Sequence, residues 1–221
     1  MSIGVLNEGP LHAALKARYA RGGATEVSVE DFVADAIVDN TIYEIQTGSF
    51  SGLQRKLSAL VERQRVVLVH PVAVKTTIVK CDSAGAQTRR VSPRKKQLLS
   101  IVDELVYIPR LLEHPNFSVE VVLTEEDALR VHDPKLRRRR GGWRTLERRL
   151  VAVQGTFRMH TMADLLEFLE TDLEEPFGTK ELAAALGQSV PLARKVAYCL
   201  KHAGVIEMVG KQGNALRYQR C

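Results

Sequence analysis

The chain has 221 residues, 45% of them hydrophobic, which is enough for one large domain or two small ones with buried cores. A formal charge of +6 favours a polyanionic partner, and no apolar run approaches the roughly 20 residues that cross a bilayer. The first residues lack the basic and apolar regions of a signal peptide. Cys81, Cys199 and Cys221 have no spacing typical of disulfides or zinc sites. We therefore expect a cytoplasmic protein with no membrane partner.

The N-terminal part combines a helix with short strands. An apolar stripe predicts a helix over residues 7–20, with Asn7 as its N-cap. Alternating residues predict a strand from 26 to 29, followed by strands over 32–38 and 41–47. Asp39-Asn40 between the last two is a two-residue loop that tolerates positive φ, so these strands should form a hairpin.

This hairpin would bring two acidic side chains together. With a two-residue loop, residue 38 pairs with 41 and residue 35 with 44, so Asp35 lies across from Glu44 with Cβ atoms roughly 5 Å apart. Gln46 lies on the same face as Glu44. Facing carboxylates repel each other unless a cation lies between them. The hairpin is therefore either a divalent-metal site at Asp35 and Glu44 or a solvated loop whose acidic residues face water.

A helix over residues 51–63 and an apolar strand over 66–69, ended by Pro71, follow the hairpin. The predicted order of elements is thus α-β-β-β-α-β. This order comes from periodicity alone and does not depend on the acidic residues.

The hairpin motif resembles that of the PD-(D/E)XK nuclease superfamily. Ala34-Asp35 stands in the Pro-Asp position and Glu44-Ile45-Gln46 in the Glu-x-Lys position. The run from Glu44 to Phe50, with Lys56-Leu57 and Val69-His70-Pro71, also resembles an uncharacterised bacterial family of predicted nuclease-fold proteins. The resemblance implies a restriction-endonuclease-like α/β core with a mixed sheet, and Mg²⁺ or Mn²⁺ held by Asp35 and Glu44. It also implies a homodimer that cuts two DNA strands.

Two further residues belong to the catalytic set that the resemblance implies. Glu8 matches an acidic residue of the first helix, although a first-turn glutamate also favours the helix dipole on its own. Gln46 departs from the superfamily pattern, because it orients a water molecule by hydrogen bonding but brings no positive charge. This departure leaves open either an active enzyme or a binding protein that has lost catalysis.

The middle of the chain is predicted to be less regular and rich in cations. We expect a strand over 75–80, a basic loop over 81–96, a helix over 97–112 and a strand over 117–124. A second basic loop spans 133–143, and residues 145–157 are predicted to be helical. Basic loops of this kind suit DNA phosphates, or are simply solvated surfaces. The candidate DNA-binding residues in them are Arg89, Arg90, Arg94, Lys95, Arg138, Arg139, Arg140 and Trp143. Trp143 either stacks on a base or anchors its loop on the core.

The C-terminal part has a different pattern. Residues 162–170 predict an amphipathic helix, and residues 179–218 predict a helix, a turn, a second helix begun by Ser189 and a two-stranded hairpin. This order resembles a winged-helix domain, which binds either DNA or a protein partner. The candidate DNA contacts on its second helix and hairpin are Arg194, Lys195, Tyr198, Lys201, Lys211 and Arg217.

Together these patterns predict a nuclease-like domain over residues 1–130, a basic loop and connecting helix over 131–160, and a winged-helix domain over 161–221. The predicted function is metal-dependent hydrolysis of phosphodiester bonds in duplex or branched DNA. The alternatives are a catalytically inactive nuclease-fold protein that binds DNA, or a winged-helix protein adaptor.

Overall fold

The computed structural model describes residues 8–81, 86–133, 135 and 142–221. The chain is an α/β protein with a mixed sheet, as the sequence predicts. The helices are α1 (Pro10–Tyr19), α2 (Gln54–Val61), α3 (Val102–Leu105), α4 (Thr179–Ala185) and α5 (Val190–His202). The strands are β1 (Ala24–Val29), β2 (Phe32–Val38), β3 (Thr41–Ile45), β4 (Arg65–Cys81), β5 (Gln87–Val91), β6 (Phe117–His132), β7 (Trp143–Met159), β8 (Ile206–Gln212) and β9 (Ala215–Arg220).

The larger sheet has the strand order β1-β2-β3-β4-β6-β7, and β5 pairs with β4 outside this path. Strands β8 and β9 form a separate two-stranded sheet. The predicted order α-β-β-β-α-β is confirmed by α1, β1, β2, β3, α2 and β4. Helix α1 begins at Pro10, whose fixed φ suits the first turn, after Gly9 as N-cap. The predicted N-cap, Asn7, lies outside the described residues.

The two strands predicted on either side of Pro71 are one strand. Strand β4 continues through this proline to Cys81. A proline removes only one backbone donor from the ladder. Because residues 66–72 are all buried, the apolar residues on both sides of Pro71 keep the chain in the sheet.

The predicted basic loop over 81–96 is partly a strand. Residues 87–91 form β5, which pairs antiparallel with the end of β4, so that Thr77 lies opposite Val91 and Cys81 opposite Gln87. All five residues of β5 are exposed, and its polar sequence lacks the alternation that predicts a half-buried strand. Residues 82–85 of this predicted loop lie outside the described part of the chain.

The predicted connecting helix over 145–157 is wrong, since these residues belong to strand β7. Leu146, Leu150 and Val153 match the spacing of a helical stripe, which explains the prediction. From residue 154 onward exposed residues alternate with less exposed ones, as expected for a strand. Pairing with β6, the preceding strand, makes this segment a strand.

Two other predicted helices are shorter and tighter than expected. The segment predicted as a helix over 97–112 contains only α3, with 3₁₀ turns at Leu98–Ile101 and Leu111–Glu113. The predicted helix over 162–170 is a 3₁₀ helix, Met162–Phe168, whose start is capped by Thr161 and Asp164.

The C-terminal elements match the prediction closely. Helices α4 and α5 are separated by a turn in which Gly187 has a φ of 58°, and Ser189 is the N-cap residue of α5. Val196 and Leu200 of α5 are buried. Phe177 forms an isolated bridge with Tyr218 of β9, which adds a third extended segment to the hairpin.

Backbone contacts group the chain into two compact units. The first contains Met1–Thr47, Val69–Leu98 and Val121–Phe157, and the second contains Gly48–Leu68, Leu99–Glu120 and Arg158–Cys221. Within the described residues, no helix has the length and apolar character needed to span a membrane.

Candidate functional site

The hairpin of β2 and β3 has the register that the sequence predicts. Asp39 and Asn40 have φ values of 46° and 60°, as a tight hairpin turn requires. Val38 pairs with Thr41 and Ile37 with Ile42, and the ladder extends to Ala36 and Tyr43. Continuing this register by one pair sets Asp35 across from Glu44.

Both acidic residues are held in a partly buried environment. The Asp35 side chain is 23% exposed, and its Oδ2 atom accepts a hydrogen bond from the backbone N–H of Ile45 at 2.8 Å. Glu44, the neighbour of Ile45, is only 7% exposed. The hairpin therefore carries its two carboxylates away from bulk water, which differs from a loop whose acidic residues are simply solvated.

The backbone of Gln46 is fixed to β4 on both sides. Its N–H donates to the carbonyl oxygen of Val69 at 2.9 Å, and its own carbonyl oxygen lies 2.7 Å from Nδ1 of His70. Because a carbonyl oxygen only accepts, His70 must donate from Nδ1. His70 is buried, so it holds Gln46 in place next to the acidic pair.

Helix α1 brings a histidine to Asp35. The Nε2 atom of His12 lies 3.4 Å from Asp35 Oδ2, and its Nδ1 atom lies 2.6 Å from Glu8 Oε1. Glu8 precedes α1 and does not lie in its first turn as predicted, because the helix begins at Pro10. His12 thus joins Glu8 to the acidic residue of the hairpin. From the sequence, His12 is expected near the site only as a packing or surface residue, although its four-residue spacing from Glu8 would place both side chains on one face of the predicted helix.

These contacts shift the pKa values of the side chains in the cluster. The hydrogen bond to Asp35, with a second to Glu8, raises the pKa of His12 above its usual value despite partial burial. Partial desolvation, which raises the pKa of Glu8, is outweighed by hydrogen bonds from Lys16 and His12, so the pKa of Glu8 is lowered. Lys16 also contacts Glu26 at 3.1 Å. The contacts therefore favour the ionised form of Glu8 and the protonated form of His12.

The carboxylate oxygens of Asp35, Glu44 and Glu8 are the kind of ligands that hard divalent cations prefer. Among the described residues, no group of three or more His, Cys, Asp or Glu side chains is arranged to hold a metal ion. Mg²⁺ commonly uses only one or two protein carboxylates together with water and substrate phosphate. Asp35 and Glu44 supply two carboxylates from adjacent strands.

The first basic cluster lies on the surface around β5. Arg90, Arg94 and Lys95 are exposed. Arg89 is exposed too, but its guanidinium donates to both carboxylate oxygens of Asp127, at 2.8 and 3.0 Å. Arg90, Arg94 and Lys95 are therefore exposed to solvent, whereas the predicted DNA contact Arg89 is held by Asp127. Arg138, Arg139 and Arg140 of the second cluster lie outside the described residues.

Trp143 is held by two neighbours at the start of β7. The Lys80 ammonium lies 4.4 Å from the centre of its ring, and the ring of His132 packs edge-on at 5.7 Å. Neither Lys80 nor His132 belongs to the buried core, so base stacking and anchoring of the loop on the core both stay predictions for Trp143.

The exposed face of α5 carries the predicted residues. Arg194, Lys195, Tyr198 and Lys201 are all exposed. Lys195 donates to Asp103 of α3 at 2.8 Å, so its charge is matched. Tyr198 packs against the ring of His202 at 4.2 Å.

On the C-terminal hairpin, Lys211 is exposed, whereas Arg217 is largely enclosed. The Arg217 guanidinium donates to Glu181 at 2.9 Å and to the carbonyl oxygen of Pro176. Arg217 therefore connects β9 to α4 in addition to any contact with a ligand.

The chain is thus an α/β protein whose sheet presents a partly buried acidic hairpin beside a histidine-bearing helix. Residues 9–160 match the model of a family described as Domain of unknown function (DUF8091), and the chain belongs to this family. It is also similar to an uncharacterized protein of Treponema pallidum (strain Nichols), with 28% identity over 223 residues that cover 100% of this chain and 88% of the other. No solved structure matches the chain significantly.

Proposed function

We propose that this protein is a divalent-metal-dependent endodeoxyribonuclease with a restriction-endonuclease-like core and a C-terminal winged helix. The observation that carries the proposal is the hairpin register, which pairs Ala36 with Tyr43 and, continued by one pair, sets Asp35 across from Glu44. The element order α-β-β-β-α-β and the mixed sheet of the N-terminal part support the core expected of that superfamily.

The residues of the hairpin suit Mg²⁺ or Mn²⁺. Asp35 and Glu44 offer hard oxygen ligands from adjacent strands, and both are partly buried, which strengthens their interaction with a cation. When bound, the ion would activate a water molecule and stabilise the charge that develops on the scissile phosphate.

The neighbouring residues would position these groups. The backbone N–H of Ile45 orients the Asp35 carboxylate, and the bonds to Val69 and His70 hold Gln46. The amide of Gln46 would orient the attacking water by hydrogen bonding. His12, charged between Glu8 and Asp35, would limit the repulsion between the helix and the hairpin.

Contacts with DNA would come from basic surfaces outside the hairpin. Arg90, Arg94 and Lys95 around β5, and Arg194 and Lys201 on α5, are exposed cations that suit phosphates. Binding of this kind should weaken steeply with salt, because each neutralised phosphate releases counterions.

The test is cleavage of plasmid and branched DNA in Mg²⁺ or Mn²⁺ by the wild-type protein, Asp35→Asn and Glu44→Gln. We expect the wild-type protein to cut and both variants to lose cleavage while keeping salt-sensitive DNA binding. Asp39→Asn is the matched control, since it makes the same change in the turn of the same hairpin, where asparagine tolerates positive φ. This control should cut like the wild-type protein.

A second candidate is a non-enzymatic DNA-binding protein that keeps the nuclease fold as a scaffold. Gln46 in the lysine position favours it, because the site then lacks a charge that would stabilise the transition state. This candidate stands, and the enzyme proposal fails, if neither metal supports cleavage while salt-sensitive DNA binding persists. Absence of DNA binding at low salt would favour a protein adaptor instead.

A further inference from the structure

Two exposed tyrosines lie together in the second compact unit. Tyr198, in the middle of the exposed face of α5, is 44% exposed, and Tyr107, just after α3, is 49% exposed. Both line a shallow hollow of about 410 Å³, together with Val106, Arg194 and Lys195. Large aromatic side chains are usually buried, so two exposed rings at one hollow indicate a binding surface.

An ion pair fixes this arrangement. Lys195 of α5 donates to Asp103 of α3 at 2.8 Å, which joins the helix carrying Tyr198 to the segment carrying Tyr107. The bond to Asp103 raises the pKa of Lys195, so Lys195 remains charged at neutral pH. The two tyrosines are therefore held at a common site by the fold.

Charges of both signs lie around the hollow. Asp103 is paired with Lys195 and Glu104 accepts a hydrogen bond from the backbone N–H of Phe50, whereas within the described part of the chain Arg194 and Lys201 make no ion pair. Arg194, Tyr198 and Lys201 also line an adjoining cavity of about 750 Å³, to which Lys180 and the paired Glu181 and Arg217 contribute. A polyanion that follows α5 would meet cations on both sides of Tyr198.

We propose that Tyr198 and Tyr107 stack on unpaired bases of single-stranded DNA, while Arg194 and Lys201 contact the adjacent phosphates. Aromatic rings flanked by cations bind single strands because every base has a face on which a ring can stack. In a duplex those faces are covered by neighbouring bases, and a helix in the major groove reaches only base edges. The α3 segment also lies against part of the exposed face of α5, at Lys195, which leaves less of that face for a groove.

This inference deepens the proposed function, because it names the kind of DNA that α5 contacts. The test measures the affinity of the full-length protein for a fluorescent oligothymidylate and for a duplex of equal length, in EDTA at fixed salt, so that cleavage plays no part. We expect the wild-type protein to prefer the single strand. Tyr198→Ala should weaken binding of the single strand about tenfold or more and leave duplex affinity nearly unchanged.

Matched variants separate stacking from other effects. Tyr198→Phe keeps the ring and should bind like the wild-type protein, and Met208→Ala removes an exposed apolar side chain from β8 as a control. Tyr107→Ala should weaken single-strand binding in the same direction as Tyr198→Ala. Alanine suits an exposed helical position, so Tyr198→Ala should remain folded.

The inference is overturned if the wild-type protein prefers the duplex, or if Tyr198→Ala weakens both DNAs equally or neither. A protein that cuts DNA in Mg²⁺ but shows no Tyr198-dependent binding would refute the stacking site and leave the nuclease proposal intact. A protein that binds oligothymidylate through Tyr198 but cuts no DNA would refute the nuclease proposal and leave the stacking site intact.

Discussion

The Nε2 atom of His12 lies 3.4 Å from Oδ2 of Asp35, so a side chain of α1 contacts the hairpin of β2 and β3. The other ring nitrogen contacts Glu8, and both partners are carboxylates. A histidine that donates from both nitrogens carries a positive charge. The contribution of this cluster to the free energy of unfolding should therefore depend on pH, and it can be measured without any metal.

His12→Gln should destabilise the protein in a pH-dependent way. Because the folded-state pKa is raised, the stabilisation is complete below the ordinary pKa of 6.5 and is lost as the pH rises through the higher folded-state value. We expect a decrease in the free energy of unfolding of about 0.5–1 kcal/mol on the acidic side and a smaller one in mildly alkaline buffer. Urea denaturation in EDTA measures both. His160→Gln, the same substitution at an exposed position, is the matched control.

Asp35→Ala and Asp35→Asn should differ in stability. Alanine leaves the N–H of Ile45 without its side-chain acceptor, which costs about 1–3 kcal/mol, whereas asparagine keeps an oxygen at that place. Urea denaturation should therefore show Asp35→Ala to be clearly less stable than Asp35→Asn. Equal stability of the two variants would mean that this hydrogen bond does not hold the hairpin.

Arg217→Ala should lower stability more than it changes DNA binding. Arg217 connects β9 to Glu181 and to Pro176, so its loss should cost about 1 kcal/mol in thermal or urea unfolding. Arg220, which is more exposed and lies 3.6 Å from Glu175, provides the matched control. If Arg217 mainly contacts phosphate, Arg217→Ala would instead weaken DNA binding and reduce the slope of log affinity against log salt concentration by about one.

Cys199 and Cys221 should react with a thiol reagent at very different rates. Cys199 is fully buried in α5, and desolvation raises the pKa of its thiol to about 12, whereas Cys221 is exposed. A thiol reagent at mildly alkaline pH should modify Cys221 quickly and Cys199 only after unfolding, because the thiolate is the reactive form. Peptide mapping identifies the modified residue. Rapid labelling of Cys199 in the native protein would show that α5 opens locally.

The elements that local chemistry defines are the ones that sequence reasoning predicted well. Asp39-Asn40 tolerates positive φ, and that alone defines the hairpin and its register. Ser189 at the start of α5 and Gly187 before it likewise mark the helix boundary. Failures occur where the residue pattern of a segment does not match the structure that its pairing imposes. Strand β7 has a helical spacing of apolar residues, and β5 has no apolar pattern, yet each pairs with the strand that precedes it, β6 and β4 respectively.

The sequence by itself determined the acidic pair Asp35 and Glu44, because a two-residue turn and the alternation of strands leave only one register that places them face to face. Only the tertiary structure decided what surrounds that pair. His12 reaches Asp35 because α1 packs beside the hairpin, and His70 holds Gln46 because β4 lies next to β3. Such contacts depend on packing between elements that are far apart in the chain, which local residue patterns do not encode.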